Sequence, residues 1–107
     1  MKVLLDESVD VHFRDHLPGH SVFTVTYMRW KGLKNGALIS HADKDGFEVL
    51  ITTDQSISKQ QNRATLPIGI IVMVAASNDI ADLQPLVPKV LLALNRIQKG
   101  QVIVVGP

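Results

Sequence analysis

Short apolar runs alternate with longer amphipathic segments along the 107-residue chain. Five such runs, bounded by glycine, proline or acidic residues, lie at positions 2–5, 21–25, 49–53, 68–74 and 101–105. Their length and β-branched content are typical of strands. The segments 3–5, 49–51 and 70–72 are apolar without alternation. Strands covered on both faces have this pattern, so these three are predicted to be central in a sheet.

The segments between the runs have helical composition or spacing. A first helix is predicted over 8–17, where a proline and a glycine end it. A second helix is predicted over 37–44, with Asn35 as its N-cap and Gly46 beyond its end. Strands that alternate with helices favour a single α/β domain over 1–107, a three-layer α/β/α sandwich with a mainly parallel sheet of four to five strands.

The last helix has the strongest amphipathic pattern. Its apolar residues recur at spacings of three and four: Ile80, Leu83, Val87, Val90, Leu94 and Ile97. Pro85 and Pro88 confine the regular part of this helix to the residues that follow them, because each proline removes a backbone donor. The stripe favours packing on the core over the alternative of a homodimer seam.

Composition removes several classes of chemistry. The chain has no cysteine, which excludes disulfides, thiolate metal sites and a cysteine nucleophile and fits a reducing cytoplasm. Its longest apolar stretch, 68–76, is too short for a membrane span, and the acidic residues soon after Met1 do not fit a signal peptide. We therefore expect a cytoplasmic protein that does not bind membranes.

Net charge alone speaks against a general nucleic-acid coat, since it is only +1. The charges are unevenly distributed, however. Eight of the ten acidic residues lie in 1–54, and none lies between Asp54 and Asp79. The small net charge therefore leaves room for an acidic site with basic margins, and it does not exclude an RNA substrate.

Acidic residues follow two of the predicted central strands. Asp6 and Glu7 come directly after the first strand, and Asp54 comes after the third. Ligands of open parallel sheets bind beyond the carboxyl ends of the strands, so these acids are expected to converge. Two carboxylates about 4 Å apart repel by about 4 kcal/mol at an effective dielectric near 20.

A bound Mg²⁺ or Mn²⁺ relieves such repulsion and activates water for attack on a phosphodiester. A purely structural alternative stays open. Asp6 and Asp54 each precede a predicted helix, and aspartate is a common N-cap.

Eight short segments spread over nearly the whole chain carry a family resemblance in their order and spacing. They are Leu4-Leu5-Asp6-Glu7-Ser8, Pro18-Gly19-His20, Gly32-Leu33-Lys34, Asn35-Gly36-Ala37-Leu38-Ile39 with Ala42, Leu50-Ile51-Thr52-Thr53-Asp54, Gln60-Gln61-Asn62, Ser77-Asn78 and Leu86-Val87-Pro88. Together they resemble the small stand-alone PIN-like proteins, many known only as domains of unknown function and some similar to toxins of toxin–antitoxin pairs. The resemblance implies a PIN-like fold. It also implies a cluster of carboxylates that binds Mg²⁺ or Mn²⁺ at a site where RNA is cleaved.

The resemblance also implies roles for particular residues. Asp6 and Asp54 would hold the metal ion, Glu7 would be a further ligand or the base that orients water, and Asn35 would complete the ligand set. The chain departs from the pattern at Asn35, which replaces an acid, and at Gln55, where a second acid is usual. Fewer anions weaken Mg²⁺ binding.

Two basic groups are candidate RNA contacts. Arg29, Trp30, Lys31 and Lys34 combine an aromatic ring with three cations, a combination that can stack a base beside the phosphate backbone. Lys59, Gln61 and Arg63 form a second group after Asp54. The alternative for the first group is that Trp30 covers the edge of the sheet while the cations face solvent.

The leading hypothesis from the sequence is a Mg²⁺- or Mn²⁺-dependent endoribonuclease of PIN-like type, the toxin of a toxin–antitoxin pair. Asp6, Glu7 and Asp54 are its candidate catalytic residues. Its expected partners are RNA and an antitoxin protein, with a homodimer as a further alternative. The rival hypothesis is a PIN-like interaction module that has lost its chemistry and acts through a protein partner.

Overall fold

A computed structural model describes residues 1–57 and 66–107 of the chain. Its strands are β1 (Lys2–Leu5), β2 (Ser21–Thr24), β3 (Val49–Thr52), β4 (Gly69–Met73) and β5 (Val102–Val105). Its α-helices are α1 (Asn35–Lys44), α2 (Ile80–Leu83) and α3 (Val87–Leu94), and Val11–His16 and Gln84–Leu86 are 3₁₀ helices. Each of the five predicted strands is present, with differences only at the ends.

The strands form one parallel sheet in the order β2-β1-β3-β4-β5. The three segments predicted to be central belong to β1, β3 and β4, and every residue of β3 and β4 is buried. Thr52 is the polar member of this buried set. Strand order reverses between β1 and β3, because the chain continues from β1 to β2 on one side and from β3 to β4 on the other.

Hydrophobic cores cover both faces of the sheet. On one face, α1 packs Leu38, Ile39 and Ala42 against Leu4 and Leu50. On the opposite face, the first 3₁₀ helix and the helices near the C-terminus pack on β1, β3 and β4; their buried residues include Phe13, Leu17, Leu83, Val90 and Leu94. The fold is therefore a three-layer α/β/α sandwich, as the pattern of elements predicted.

The first predicted helix is shorter than expected and of a different type. The structure has a 3₁₀ helix over Val11–His16, whereas the prediction began at residue 8. Asp10 is the N-cap, and its carboxylate accepts a hydrogen bond from the backbone amide of His12 at 2.9 Å. Because that cap fixes the helix start, 6–10 is left as a loop beside the end of β1.

The second predicted helix starts earlier than expected. Lys34 is the N-cap of α1 and provides no side-chain cap, while Asn35 lies in the first turn. The predicted N-cap role of Asn35 is therefore wrong, and its side chain is directed to another partner. At the other end, Gly46 has φ +85° just beyond the helix, a left-handed conformation that favours glycine.

The prediction for the last helix is confirmed in its packing. The segment is divided at its prolines: Pro85 lies in the 3₁₀ helix that follows α2, and Pro88 lies in the first turn of α3, which begins at Val87, earlier than predicted. All six stripe residues contact the core: Ile80, Leu83, Val87, Val90, Leu94 and Ile97. None of the helices in the described parts of the chain is long and apolar enough to span a membrane.

Candidate active site

Asp6 and Asp54 lie at the point where the strand order reverses. Asp6 follows β1 and Asp54 follows β3 after one intervening residue. The two strands are paired in parallel, with Leu5 opposite Ile51, and the backbone amide of Asp6 donates to the carbonyl of Ile51 at 2.9 Å. In doubly wound sheets this crevice is where ligands bind. The strand pairing thus places the two acids that the sequence singled out at the same edge of the sheet.

The hydroxyl of Thr52 links the two acids. Thr52 is fully buried, and its Oγ1 donates to Asp6 Oδ2 at 2.8 Å while accepting from the backbone amide of Asp54 at 3.0 Å. Ser8 Oγ also donates to Asp6 Oδ2, at 2.9 Å, and accepts from the backbone amide of Thr53 at 3.3 Å. These contacts fix the orientation of the Asp6 carboxylate relative to the end of β3.

Asp54 is held by a different set of donors. Ser56 donates twice to Asp54 Oδ1, from its backbone amide at 2.9 Å and from its hydroxyl at 2.6 Å. The side-chain amide of Asn35 donates to the other oxygen, Oδ2, at 3.3 Å. An acid in place of Asn35 would repel this carboxylate, whereas the amide hydrogen-bonds to it. The role of Asn35 as a metal ligand stays a prediction.

These donors lower the pKa of Asp54 below its ordinary value. The Ser56 hydroxyl has the largest effect, desolvation opposes it, and the Ser56 backbone amide and the Asn35 side chain lower the pKa further. Each donor stabilises the charged form of the carboxyl group. Asp54 is therefore an anion at neutral pH, which is the state that a cation or a reacting water requires.

Replacing Ser56 with alanine is expected to raise the pKa of Asp54 toward the ordinary value, because the strongest donor to the carboxylate is lost. A lowered pKa stabilises the folded state above the unfolded-state pKa of about 3.9, and this stabilisation disappears as pH falls through the folded-state pKa. At neutral pH, Ser56→Ala should therefore be less stable than the wild type. As the pH is lowered, its stability should fall less than that of the wild type. Carboxyl-carbon NMR titration measures the pKa directly.

The exposed serine on α1 gives the matched control, since Ser40→Ala removes a hydroxyl that does not contribute to the lowered pKa of Asp54. An Asp54 pKa that is the same in the wild type, Ser56→Ala and Ser40→Ala would contradict the role of the Ser56 hydroxyl.

A groove of about 750 Å³ opens beside Asp6. Its walls come from the loop after β1, the first 3₁₀ helix, the end of β2 and the residues after it, and Asn78; they include Asp6, Glu7, Asp10, Arg14, Thr24, Thr26 and Tyr27. Tyr27 is 69% exposed. Hydrogen bonds from the backbone and the ring of His12 lower the pKa of Asp10 and keep it charged. The groove is thus acidic, with one cation and one exposed ring.

The chemistry of the donors at the crevice fits a hard divalent cation. Mg²⁺ and Mn²⁺ prefer oxygen ligands, and Mg²⁺ is typically held by one or two carboxylates while it keeps several waters. Asp6 and Asp54 supply two carboxylates. Among residues 1–57 and 66–107, no group of three or more His, Cys, Asp or Glu side chains is arranged to hold a metal ion. Glu7 is exposed and lines the groove, and its role as a further ligand or base stays a prediction.

The first predicted RNA-contact group lies between β2 and the start of α1. Lys34 directly precedes Asn35, whose side chain contacts Asp54. Trp30 packs edge-on against His41 at 5.7 Å and Phe47 at 5.8 Å between ring centroids. Arg29, Lys31 and Lys34 are exposed. The packing of Trp30 favours the alternative in which the indole covers the core while the cations face solvent. Lys59, Gln61 and Arg63 lie outside the described residues.

The site contains residues to which sequence reasoning assigned no role. Thr52, Ser8 and Ser56 orient the two carboxylates, and Arg14 and Tyr27 line the groove. The sequence carries a signal for the first three, because each lies two positions from Asp6 or Asp54, the spacing of side-chain-to-backbone turns. The groove has no such signal, since distant segments form its walls.

The fold and the carboxylate pair define a class of protein: a doubly wound, all-parallel α/β domain with an acidic crevice at the switch point of its sheet. Compared with family models, curated proteins and solved structures, the chain matches none of them significantly. The PIN-like resemblance therefore stays a prediction from the sequence.

Proposed function

We propose that the chain is a Mg²⁺- or Mn²⁺-dependent endoribonuclease that uses the crevice between β1 and β3. The observation that carries the proposal is that Asp6 and Asp54 follow the paired strands β1 and β3 at the switch point, where the Thr52 hydroxyl bonds both the Asp6 carboxylate and the Asp54 backbone amide. Two oriented carboxylates at this position are suited to hold one hard cation. The PIN-like resemblance supplies RNA as the substrate and a toxin–antitoxin pair as the setting, and the cysteine-free composition favours the cytoplasm as the location.

The hydrogen bonds define what each acid contributes. Both hydrogen bonds that Asp6 side-chain oxygens accept from the described residues end on Oδ2. Its Oδ1 is thereby left for a cation or a water molecule. Asp54 contributes a permanent negative charge, since Ser56 and Asn35 lower its pKa. A cation bound here would polarise the scissile phosphodiester and lower the pKa of the attacking water.

The groove beside Asp6 offers a place for the nucleotide next to the scissile bond. The Arg14 guanidinium would contact a phosphate, and the exposed ring of Tyr27 would stack on a base. Glu7 lies in the turn after Asp6 and faces the same groove, so it is placed to accept a proton from water. Its exposed position leaves it free to approach the reacting group without disturbing the core.

A second candidate function is a binding module without catalytic activity. The observation that favours it is the small set of acids: Asn35 occupies the position where the family pattern has an acid, and the described residues contain no cluster of three ligating side chains. Such a protein would act through a protein partner at the same crevice. Metal binding separates the two functions.

Calorimetric titration with MnCl₂ tests the proposal. We expect the wild type to bind Mn²⁺ with a millimolar or tighter dissociation constant. Asp6→Asn should bind Mn²⁺ at least about tenfold more weakly. Removing a residue that only hydrogen-bonds to a metal ligand already costs about tenfold in metal affinity, and removing the ligand itself costs more. Asp43→Asn, which removes an exposed acid on α1, should bind like the wild type. A wild type that binds no Mn²⁺, or equal binding by wild type and Asp6→Asn, would reject the metal site and favour the binding module.

A further inference from the structure

β5 lies at the edge of the sheet and exposes backbone groups that a strand can pair with. The carbonyls of Gln101 and Val105 accept hydrogen bonds from the amides of Ile70 and Val74 on the β4 side, at 2.9 and 2.8 Å. Backbone groups along a strand alternate in direction, so those of Val102 and Val104 point outward. Within the described residues no strand lies beyond β5. Each outward residue offers one donor and one acceptor to a new strand.

Apolar side chains flank this edge. Leu92 of α3 is 63% exposed and Val104 of β5 is 60% exposed. Two grooves of about 450 and 210 Å³ run beside the strand, and both are lined by Arg96 and Ile103. Exposed apolar residues along an open strand edge favour association with another chain.

The charged side chains that line the two grooves beside β5 are the cations Lys89 and Arg96. Residues 83–107 include Lys89, Arg96 and Lys99 and no aspartate or glutamate. Lys89, Leu92 and Arg96 all line the smaller groove, with spacings of three and four that place them on one side of α3 and the turn after it. An apolar contact thus lies between two cations along the edge of the sheet.

We propose that β5 binds an extended acidic segment of a partner protein, which adds to the sheet as a sixth strand. Val102 and Val104 supply the backbone hydrogen bonds. The segment would present an acid, an apolar residue and a second acid at alternate positions toward Arg96, Leu92 and Lys89. Alternate residues of a strand are about 6.7 Å apart, so the two acids would be about 13 Å apart. The two cations are about 10 Å apart along the helix axis, a gap that their long side chains bridge.

The charge and side chains of this surface favour an acidic protein segment over two other occupants. A second copy of the chain would bring Lys89 and Arg96 close to the same cations, and like charges at an interface oppose binding. Single-stranded RNA binds through stacking on aromatic rings. The residues that line the two grooves beside β5 include no aromatic ring.

Two synthetic peptides test the proposal, one containing Glu-Thr-Val-Thr-Glu and the other Lys-Thr-Val-Thr-Lys. We expect the acidic peptide to bind the wild type at least about tenfold more tightly than the basic peptide, and more weakly as salt is added. Hydrogen exchange of the Val102 and Val104 amides should slow when it binds. The same assay with a single-stranded RNA oligonucleotide and the sedimentation behaviour of the free protein examine the other two occupants.

Variants of β5 separate strand pairing from charge. Val104→Pro removes a backbone amide that points away from β4 and leaves the hydrogen bonds to β4 intact. It should therefore lower the affinity for the acidic peptide at least about tenfold. Val104→Thr keeps this amide, so its affinity for the acidic peptide should be close to that of the wild type. Arg96→Gln should weaken binding and reduce its salt dependence, which keeps the test valid if the proline variant does not fold.

Three results would overturn the proposal. They are equal binding of the two peptides, competition of RNA with the acidic peptide, and a β5-dependent dimer that Val104→Pro converts to a monomer.

Discussion

Replacing Asp54 with asparagine is expected to lower Mn²⁺-dependent cleavage of RNA by at least about 100-fold. This is the upper end of the range for removing a residue that hydrogen-bonds to a metal ligand. The substitution removes the negative charge and keeps the shape of the side chain. Asparagine retains an oxygen that can accept the hydrogen bonds from Ser56. The loss would therefore come from the missing charge and not from a disrupted turn. Asp6→Asn is expected to have an effect of similar size.

Stability should fall together with activity in Asp54→Asn. The Ser56 and Asn35 donors lower the pKa of Asp54, so its charged carboxylate stabilises the folded state at neutral pH, and asparagine loses this stabilisation. If Asp54 acted only as a helix cap, stability would stay the same, because asparagine caps about as well as aspartate. Asp43→Asn is the matched control for both measurements. Wild-type cleavage by Asp6→Asn and Asp54→Asn would show that the RNA is cut elsewhere or by a contaminant.

Phe13→Ala is expected to lower the free energy of unfolding by about 3 to 5 kcal/mol, the range for truncating a buried phenylalanine. Phe13 is fully buried in the core between the sheet and the 3₁₀ helix Val11–His16. Typical domains are stable by only about 5 to 15 kcal/mol, so a large part of the stability would be lost. Urea denaturation of the two proteins measures the difference.

Val11→Ala is the matched control, since Val11 lies on the same 3₁₀ helix and is 47% exposed. An exposed substitution of this kind changes stability by about 0.5 kcal/mol or less. Equal destabilisation by Phe13→Ala and Val11→Ala would contradict the packing of this helix against the sheet through Phe13. The same helix carries Arg14 in the wall of the groove, so Phe13→Ala should also weaken any ligand that binds there.

Most of the sheet could be predicted from the sequence because each strand corresponds to a local run of apolar residues. An unbroken apolar run needs both faces covered, and this requirement alone placed β1, β3 and β4 at the centre. The type of the first helix could not be predicted. Among the six residues of this helix only Phe13 is buried, so the pattern does not distinguish a repeat of 3.0 residues from one of 3.6.

The candidate site was predictable only in part, for a similar physical reason. Asp6 and Asp54 follow strand ends, so a parallel sheet brings them to one edge without further information. The partner of Asn35 depends on how α1 packs against the end of β3, which is a contact between distant segments. The groove at Tyr27 depends on the loop after β2 in the same way. Such packing has no local signature in the sequence.

The parallel pairing of every strand has a consequence for how the chain folds. Within residues 1–57 and 66–107 no two strands form a hairpin, and Val3 of β1 pairs with Val49 of β3, 46 positions later. Closing so large a loop costs conformational entropy before the contact stabilises anything, and this slows folding relative to a helical bundle of similar length. During synthesis β1 therefore emerges from the ribosome well before the strand that covers its inner edge, and its apolar residues need protection in that interval.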